Sequence, residues 1–116
     1  MQIHLVDDEP TVREVVADIL DFDGYKVRSF EDGQAYIDYM NSGEYHTPLL
    51  VITDIDMPHV NGFDLINHIR NQIPDCKILT VSGHEHHQAQ ANQLKIPMLK
   101  KPFPPEQLLN LVAKFT

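Results

Sequence analysis

Short apolar runs alternate along this chain with stretches in which apolar residues recur every three or four positions. Ile3–Val6 reads as a strand that ends in the acidic loop Asp7-Asp8-Glu9. Pro10 suits a first helical turn, where its missing N–H costs nothing. Val12, Val15, Val16, Ile19 and Leu20 then form one apolar helix face, and Gly24 closes that helix. Tyr25–Phe30 reads as a second strand, and residues 32–41 as a weaker helix carrying Tyr36, Ile37 and Met40. Leu49–Thr53 is apolar on both alternating faces, as a strand buried inside a parallel sheet must be, and runs into Asp54. A third helix follows Gly62, with Phe63, Ile66 and Ile69 inward. Ile78–Val81 is a fourth strand, stopping at Ser82-Gly83. The stretch 84–93 predicts a helix with a thin packing face, since it is mostly His, Gln and Ala. Ile96–Leu99 makes a short fifth strand, and Pro104–Phe115 a last helix with Leu108, Leu109, Val112 and Phe115 inward.

Strand–helix alternation repeated five times predicts an α/β fold with helices on both faces of a parallel sheet. Right-handed crossovers leave few topologies. The expected one is the flavodoxin-like three-layer α/β/α sandwich, five parallel strands in the order 2-1-3-4-5 with five helices. Its crevice lies at the carboxyl ends of strands one and three, where the order reverses. That places the acidic loop beside Asp54.

The 116 residues suit one domain spanning 1–116, with no repeat or linker-like run to divide it. The net charge of −8 argues against direct nucleic-acid binding and against docking to anionic lipid, both of which need a basic face. No stretch approaches the roughly 20 apolar residues of a membrane span. The amino terminus lacks the pattern of a secretory signal, and the lone Cys76 fits a reducing compartment, so a cytoplasmic location is expected.

Asp7 and Asp8, Asp54, Ser82 and Lys101 fall just past successive strand ends. Carboxylates brought together repel unless a cation joins them, and magnesium (or manganese) favours a few carboxylates plus water and phosphate oxygens. A lysine would neutralise remaining charge, and a serine hydroxyl could hydrogen-bond a phosphoryl oxygen. Together they could stabilise a transferring phosphoryl group, with one carboxylate as nucleophile giving an acyl phosphate.

The strings LVDDEP, VITDIDMPHVNGFDLI, TVSG and LKKPF, in this order and spacing, resemble the receiver domain of bacterial two-component response regulators over the whole chain. The resemblance implies Asp54 as phosphorylation site, Asp7 and Asp8 as the acidic pair for magnesium, and the Asp56 carbonyl as a further metal ligand. It implies Ser82 as the switch hydroxyl, Lys101 rather than Lys100 as the phosphate-binding lysine, and a cis bond at Lys101–Pro102. The donor would be a phosphohistidine on a sensor kinase or phosphotransfer protein. The domain would then dephosphorylate itself and signal through strand four, helix four and helix five to an effector domain or downstream protein. The chain is expected to be a stand-alone receiver or, slightly favoured, the amino-terminal piece of a longer regulator, acting as a signalling domain rather than a metabolic enzyme.

Met98 stands where the family usually carries a ring that follows the switch hydroxyl, which predicts a softer switch. Asp56 and His84, two residues past Asp54 and Ser82, are expected to flank the phosphoryl group and set its lifetime. His84-Glu85-His86-His87 invites a zinc or nickel reading, but without a fourth anchored ligand it is expected to be a polar loop or helix start. His4 is expected to be a core histidine, and Asp8 taken alone could be only a helix cap. Competing functions are a haloacid-dehalogenase-like phosphatase, a flavin- or nucleotide-binding protein, and a degenerate receiver that only binds protein. The first is opposed by an acidic pair that precedes the nucleophile. The second is opposed by a first loop that offers carboxylates instead of phosphate-binding donors. The complete set of polar residues opposes the third.

Overall fold

The computed structural model describes residues 2–115. Five strands alternate with five helices: β1 (Gln2–Val6), α1 (Pro10–Phe22), β2 (Lys26–Phe30), α2 (Gly33–Met40), β3 (Leu50–Asp54), α3 (Gly62–Gln72), β4 (Ile78–Ser82), α4 (His87–Gln93), β5 (Met98–Lys100) and α5 (Pro105–Ala113). All four strand pairings are parallel and the order is β2-β1-β3-β4-β5, as the alternation predicts.

Successive strand residues face opposite sides, so the sheet divides the core in two. Ile3, Leu5, Leu50, Ile52, Leu79 and Val81 pack with Val16 and Leu20 of α1 and Leu108 and Val112 of α5. Val6, Val51 and Ile78 pack on the other side with Tyr36 and Tyr39 of α2, with Phe63, Ile66 and Ile69 of α3, and with Ala91 of α4. Every residue of β3 and β4 is buried, which explains why apolar residues fall on both faces of these strands. In β2, at the sheet edge, only Phe30 is buried.

His4 lies on the α2 side of β1 with no exposed surface, and its Nδ1 is 2.8 Å from the Tyr36 hydroxyl. Phe30, Tyr36, Tyr39 and Tyr45 surround its ring. Burial, with some help from Arg28, pushes its pKa down to about 4, so it is a neutral core histidine as expected.

Two expectations need correction. The α1 stripe is not wholly core: Val15 is 52% exposed, because five apolar positions cover more of the helix than the sheet can receive. The fourth helix begins at His87 rather than at residue 84, because Ser82 draws the following backbone into a turn around its own hydroxyl.

Candidate functional site

The loops after β1, β3, β4 and β5 meet at one end of the sheet. Asp7 is held there by its own loop: its Oδ1 accepts from the Glu9 N–H at 2.9 Å, and Arg13 donates to its carbonyl at 2.7 Å. Arg13 was not singled out by sequence reasoning, though an arginine one turn into α1 is placed to reach back. Asp8 does not cap α1: the N-cap residue is Glu9, and no side chain accepts a bond there. The capping explanation of the acidic pair therefore fails.

Asp54 ends β3 with 4% of its surface exposed. Its Oδ1 accepts from the Ile55 N–H at 2.8 Å, and its Oδ2 faces Lys101 Nζ at 3.4 Å. The same ammonium lies 3.1 Å from Asp7 Oδ2. Burial pushes the Asp54 carboxyl up to about 6; Lys101 and the Ile55 N–H pull against this, while Asp7 and Asp8 add to it. Burial alone would lower the Lys101 pKa, but Asp54 and Asp7 outweigh it and hold the ammonium above the usual lysine value. Lys100 points outward to Glu85, so the two lysines are told apart as expected.

Ligand oxygens of Asp7, Asp8 and Asp54 lie within 4.8 Å of one another, and among the described residues no other set of three ligating groups does so. Asp8 Oδ1 is buried without a hydrogen-bond partner. A buried carboxylate oxygen left orphaned is expensive, and a divalent cation would satisfy it. The hard oxygen donors suit magnesium or manganese. The histidine run does not form such a set.

The backbone after Asp54 is tightly constrained. The Gly62 N–H donates to the Ile55 carbonyl at 2.8 Å, and a Cβ on Gly62 would sit 2.3 Å from the Asp54 carbonyl oxygen. Only glycine allows α3 to start this close to the acceptor strand. His59, in the same loop, adopts a left-handed φ of 66°. The Lys101–Pro102 bond is cis, as the resemblance implied.

Ser82 ends β4 and is fully buried. Its Oγ accepts from the His84 N–H at 3.0 Å and lies 2.7 Å from His87 Nδ1. His87 Nε2 in turn lies 3.5 Å from Asp56 Oδ1, and His84 Nε2 lies 3.2 Å from Asp56 Oδ2. Burial lowers the His87 pKa; Asp56 opposes this and His86 and His84 add to it, leaving the ring below the usual histidine value. Asp56 and His84 are thus neighbours at the mouth, while His87 was read only as part of a histidine run. Its position five residues beyond Ser82, at the start of α4, was the available signal. Met98 is half-buried against the α2–α3 core and lies opposite Thr80 in the β4–β5 register.

Among the described residues no helix is long and apolar enough to cross a membrane. The family model for the response regulator receiver domain matches residues 3–113. The chain is 36% identical over 114 residues to the response regulator Rre1 of Synechocystis, covering 93% of this chain and 48% of that protein. It is 28% identical over 116 residues to the C4-dicarboxylate transport transcriptional regulatory protein DctD of Pseudomonas aeruginosa, covering 97% of this chain and 24% of that protein. The chain thus spans a quarter to a half of such relatives. Among solved structures, the response regulator TrrA of Thermotoga maritima, in complex with magnesium and beryllium fluoride, superposes with a TM-score of 0.87 at 30% identity, over 99% of this chain and 98% of that one. The chemotaxis protein CheY4 of Vibrio cholerae, at 24% identity, shares the fold with a TM-score of 0.86, covering 99% and 98% of the two chains. This chain belongs to the response regulator receiver domain family.

Proposed function

We propose that this domain accepts a phosphoryl group onto Asp54 from a phosphohistidine of a sensor kinase or phosphotransfer protein. The observation that carries this reading is the pairing of a buried Asp54 carboxylate with Lys101 on one side and the orphaned Asp8 oxygen on the other. At pH 7 a carboxyl with a pKa of about 6 is mostly ionised, as a nucleophile must be. An Asp54 oxygen attacks phosphorus, the P–N bond to the donor imidazole breaks, and the ring nitrogen keeps the electron pair. Asp7, Asp8 and Asp54, with the Asp56 carbonyl, would hold magnesium, which when bound supplies positive charge to the transferring oxygens. Lys101 supports charge on the same group from the opposite side, and Ser82 donates to a phosphoryl oxygen once it turns toward Asp54. In the later hydrolysis water attacks phosphorus, the P–O bond to Asp54 breaks, the carboxylate keeps the electron pair, and inorganic phosphate leaves. Asp56 and His84, paired at the mouth, orient that water and set the lifetime of the phosphorylated state.

The donor's landing surface is the apolar groove of about 430 Å³ between α1 and the segment after β5. Val12, Val15, Ile19 and Phe103 line it, and Lys101 forms its inner end beside Asp54. A partner seated there brings its histidine over the acceptor. Output runs through β4, α4 and α5 to an effector domain or a downstream protein.

Intact-mass measurement after incubation with acetyl phosphate and magnesium tests the central step. A single phosphoryl adduct is expected, lost with Asp54→Asn and in metal-free buffer. An adduct that survives Asp54→Asn overturns the assignment.

A further inference from the structure

A serine hydroxyl has one proton to give. Ser82 Oγ has two acceptors near it, His87 Nδ1 at 2.7 Å and the His84 carbonyl at 3.3 Å. Nε2 of His87 faces the Asp56 carboxylate at 3.5 Å, which favours the ring's hydrogen on Nε2; Nδ1 is then an acceptor, and the shorter contact takes the Ser82 proton. The imidazole is fixed on its other edge by Phe63, whose ring centroid is 5.7 Å away at 79°. The side chain of His87 is only 12% exposed, so this is an enclosed contact rather than a surface one.

His87 is also the first residue of α4. That helix has seven residues, buries only Ala91, and has no side-chain cap at its start. Its amino-terminal turn is therefore held to the sheet by little besides His87. At position 98 of β5 there is a methionine, which offers neither a ring nor a polar handle to follow Ser82. The chain carries its ring on α4 instead.

We propose that His87 is a positioning residue: it latches the Ser82 hydroxyl away from Asp54, and its release loosens the first turn of α4 when Asp54 is phosphorylated. This rests on the phosphoacceptor reading above. Ser82 cannot donate to His87 and to a phosphoryl oxygen together, so the two bonds are alternatives. Each phosphorylation event breaks the Ser82–His87 contact and frees the first turn of α4, while Ala91 keeps the rest of the helix on the core. The route from site to surface thus passes through an imidazole on α4, not through a ring on β5.

The test uses the intact chain, with H87A, H87N, S82A and the S82A/H87A double variant. Two quantities are read: amide hydrogen exchange across residues 84–93 without phosphorylation, and the rate of the acetyl-phosphate adduct at Asp54. Losing one neutral hydrogen bond predicts that H87A speeds exchange in the first turn of α4 by about three- to tenfold, and raises the adduct rate by a similar factor. H87N, which keeps an acceptor near the place of Nδ1, should recover part of both effects. In the S82A background H87A should add nothing. Equal effects of H87A with and without the Ser82 hydroxyl would overturn the latch, because a merely structural role of the ring does not depend on that oxygen. If wild-type protein takes up no phosphoryl group, the phosphoacceptor reading fails. The exchange data on unphosphorylated protein then still decide whether the Ser82–His87 tie holds α4.

Discussion

Replacing Asp54 by asparagine should make the metal-free domain more stable at neutral and alkaline pH, although it destroys the acceptor. Burial and the neighbouring carboxylates raise the folded-state pKa from 3.8 to about 6. At about 1.4 kcal/mol per pKa unit, that difference is about 3 kcal/mol of folding free energy spent on keeping Asp54 ionised at pH 8. Because the folded pKa is the higher one, the protonated carboxyl is favoured by the fold. The stability it gives is fully present below pH 3.8 and is lost as pH rises through 6. Asparagine removes the charge and keeps an oxygen for the Ile55 N–H. Its amide NH2 then faces the Lys101 ammonium, which offsets about 1 kcal/mol. The net expectation is a gain of about 2 kcal/mol at pH 8, shrinking steadily between pH 6 and pH 4. Urea unfolding with a chelator present, at a series of pH values, measures it. With a typical slope the midpoint should move by roughly 1 M at pH 8. Adding magnesium should narrow the gap, since the cation stabilises the three-carboxylate site more than the variant. A variant no more stable than wild type at pH 8, or a gap that stays constant down to pH 4, would refute the reasoning.

His4 titrates in the opposite sense. Its folded pKa of about 4 lies below the ordinary 6.5, so the stability of its neutral form is present above pH 6.5 and is lost as pH falls toward 4. Combining Asp54→Asn with native His4 should therefore expose an acid lability that the Asp54 carboxyl otherwise offsets, seen as a steeper fall in urea midpoint below pH 6. Gly62→Ala should destabilise by about 2–3 kcal/mol or more, because a Cβ 2.3 Å from the Asp54 carbonyl forces backbone to move; thermal unfolding measures this, and an unchanged midpoint would contradict the close approach. Lys101→Met should cost about 3–5 kcal/mol at pH 8, by leaving Asp7 and Asp54 without their shared cation, and should recover much of this at pH 5 as Asp54 protonates. A loss independent of pH would argue that packing rather than charge is at stake.

The sheet order and the meeting of Asp7, Asp8, Asp54 and Lys101 were legible because strands must end where apolar runs end. A parallel sheet collects those ends on one side. Boundaries at the weaker elements were less legible. Glu85 and His86 have no apolar neighbours to decide between loop and helix, and the turn around Ser82 Oγ settles the matter. Tyr39 was overlooked in α2 because helical spacing picks out Tyr36, Ile37 and Met40 equally well, whereas His4 and Arg28 decide which rings turn inward. His87 could not be assigned from composition, since four polar residues in a row look alike until a helix start points one of them at a strand end.

The thin packing of α4 also bears on how such a domain changes over generations. With Ala91 buried and His87 packed on Phe63, the other five of its seven positions are exposed. Substitutions at those five positions leave the sheet, His87 and the acceptor site intact, so the face a partner reads is free to drift while the phosphoryl chemistry stays fixed. Paralogous copies of one ancestral chain could in this way acquire separate listeners by altering a single short helix.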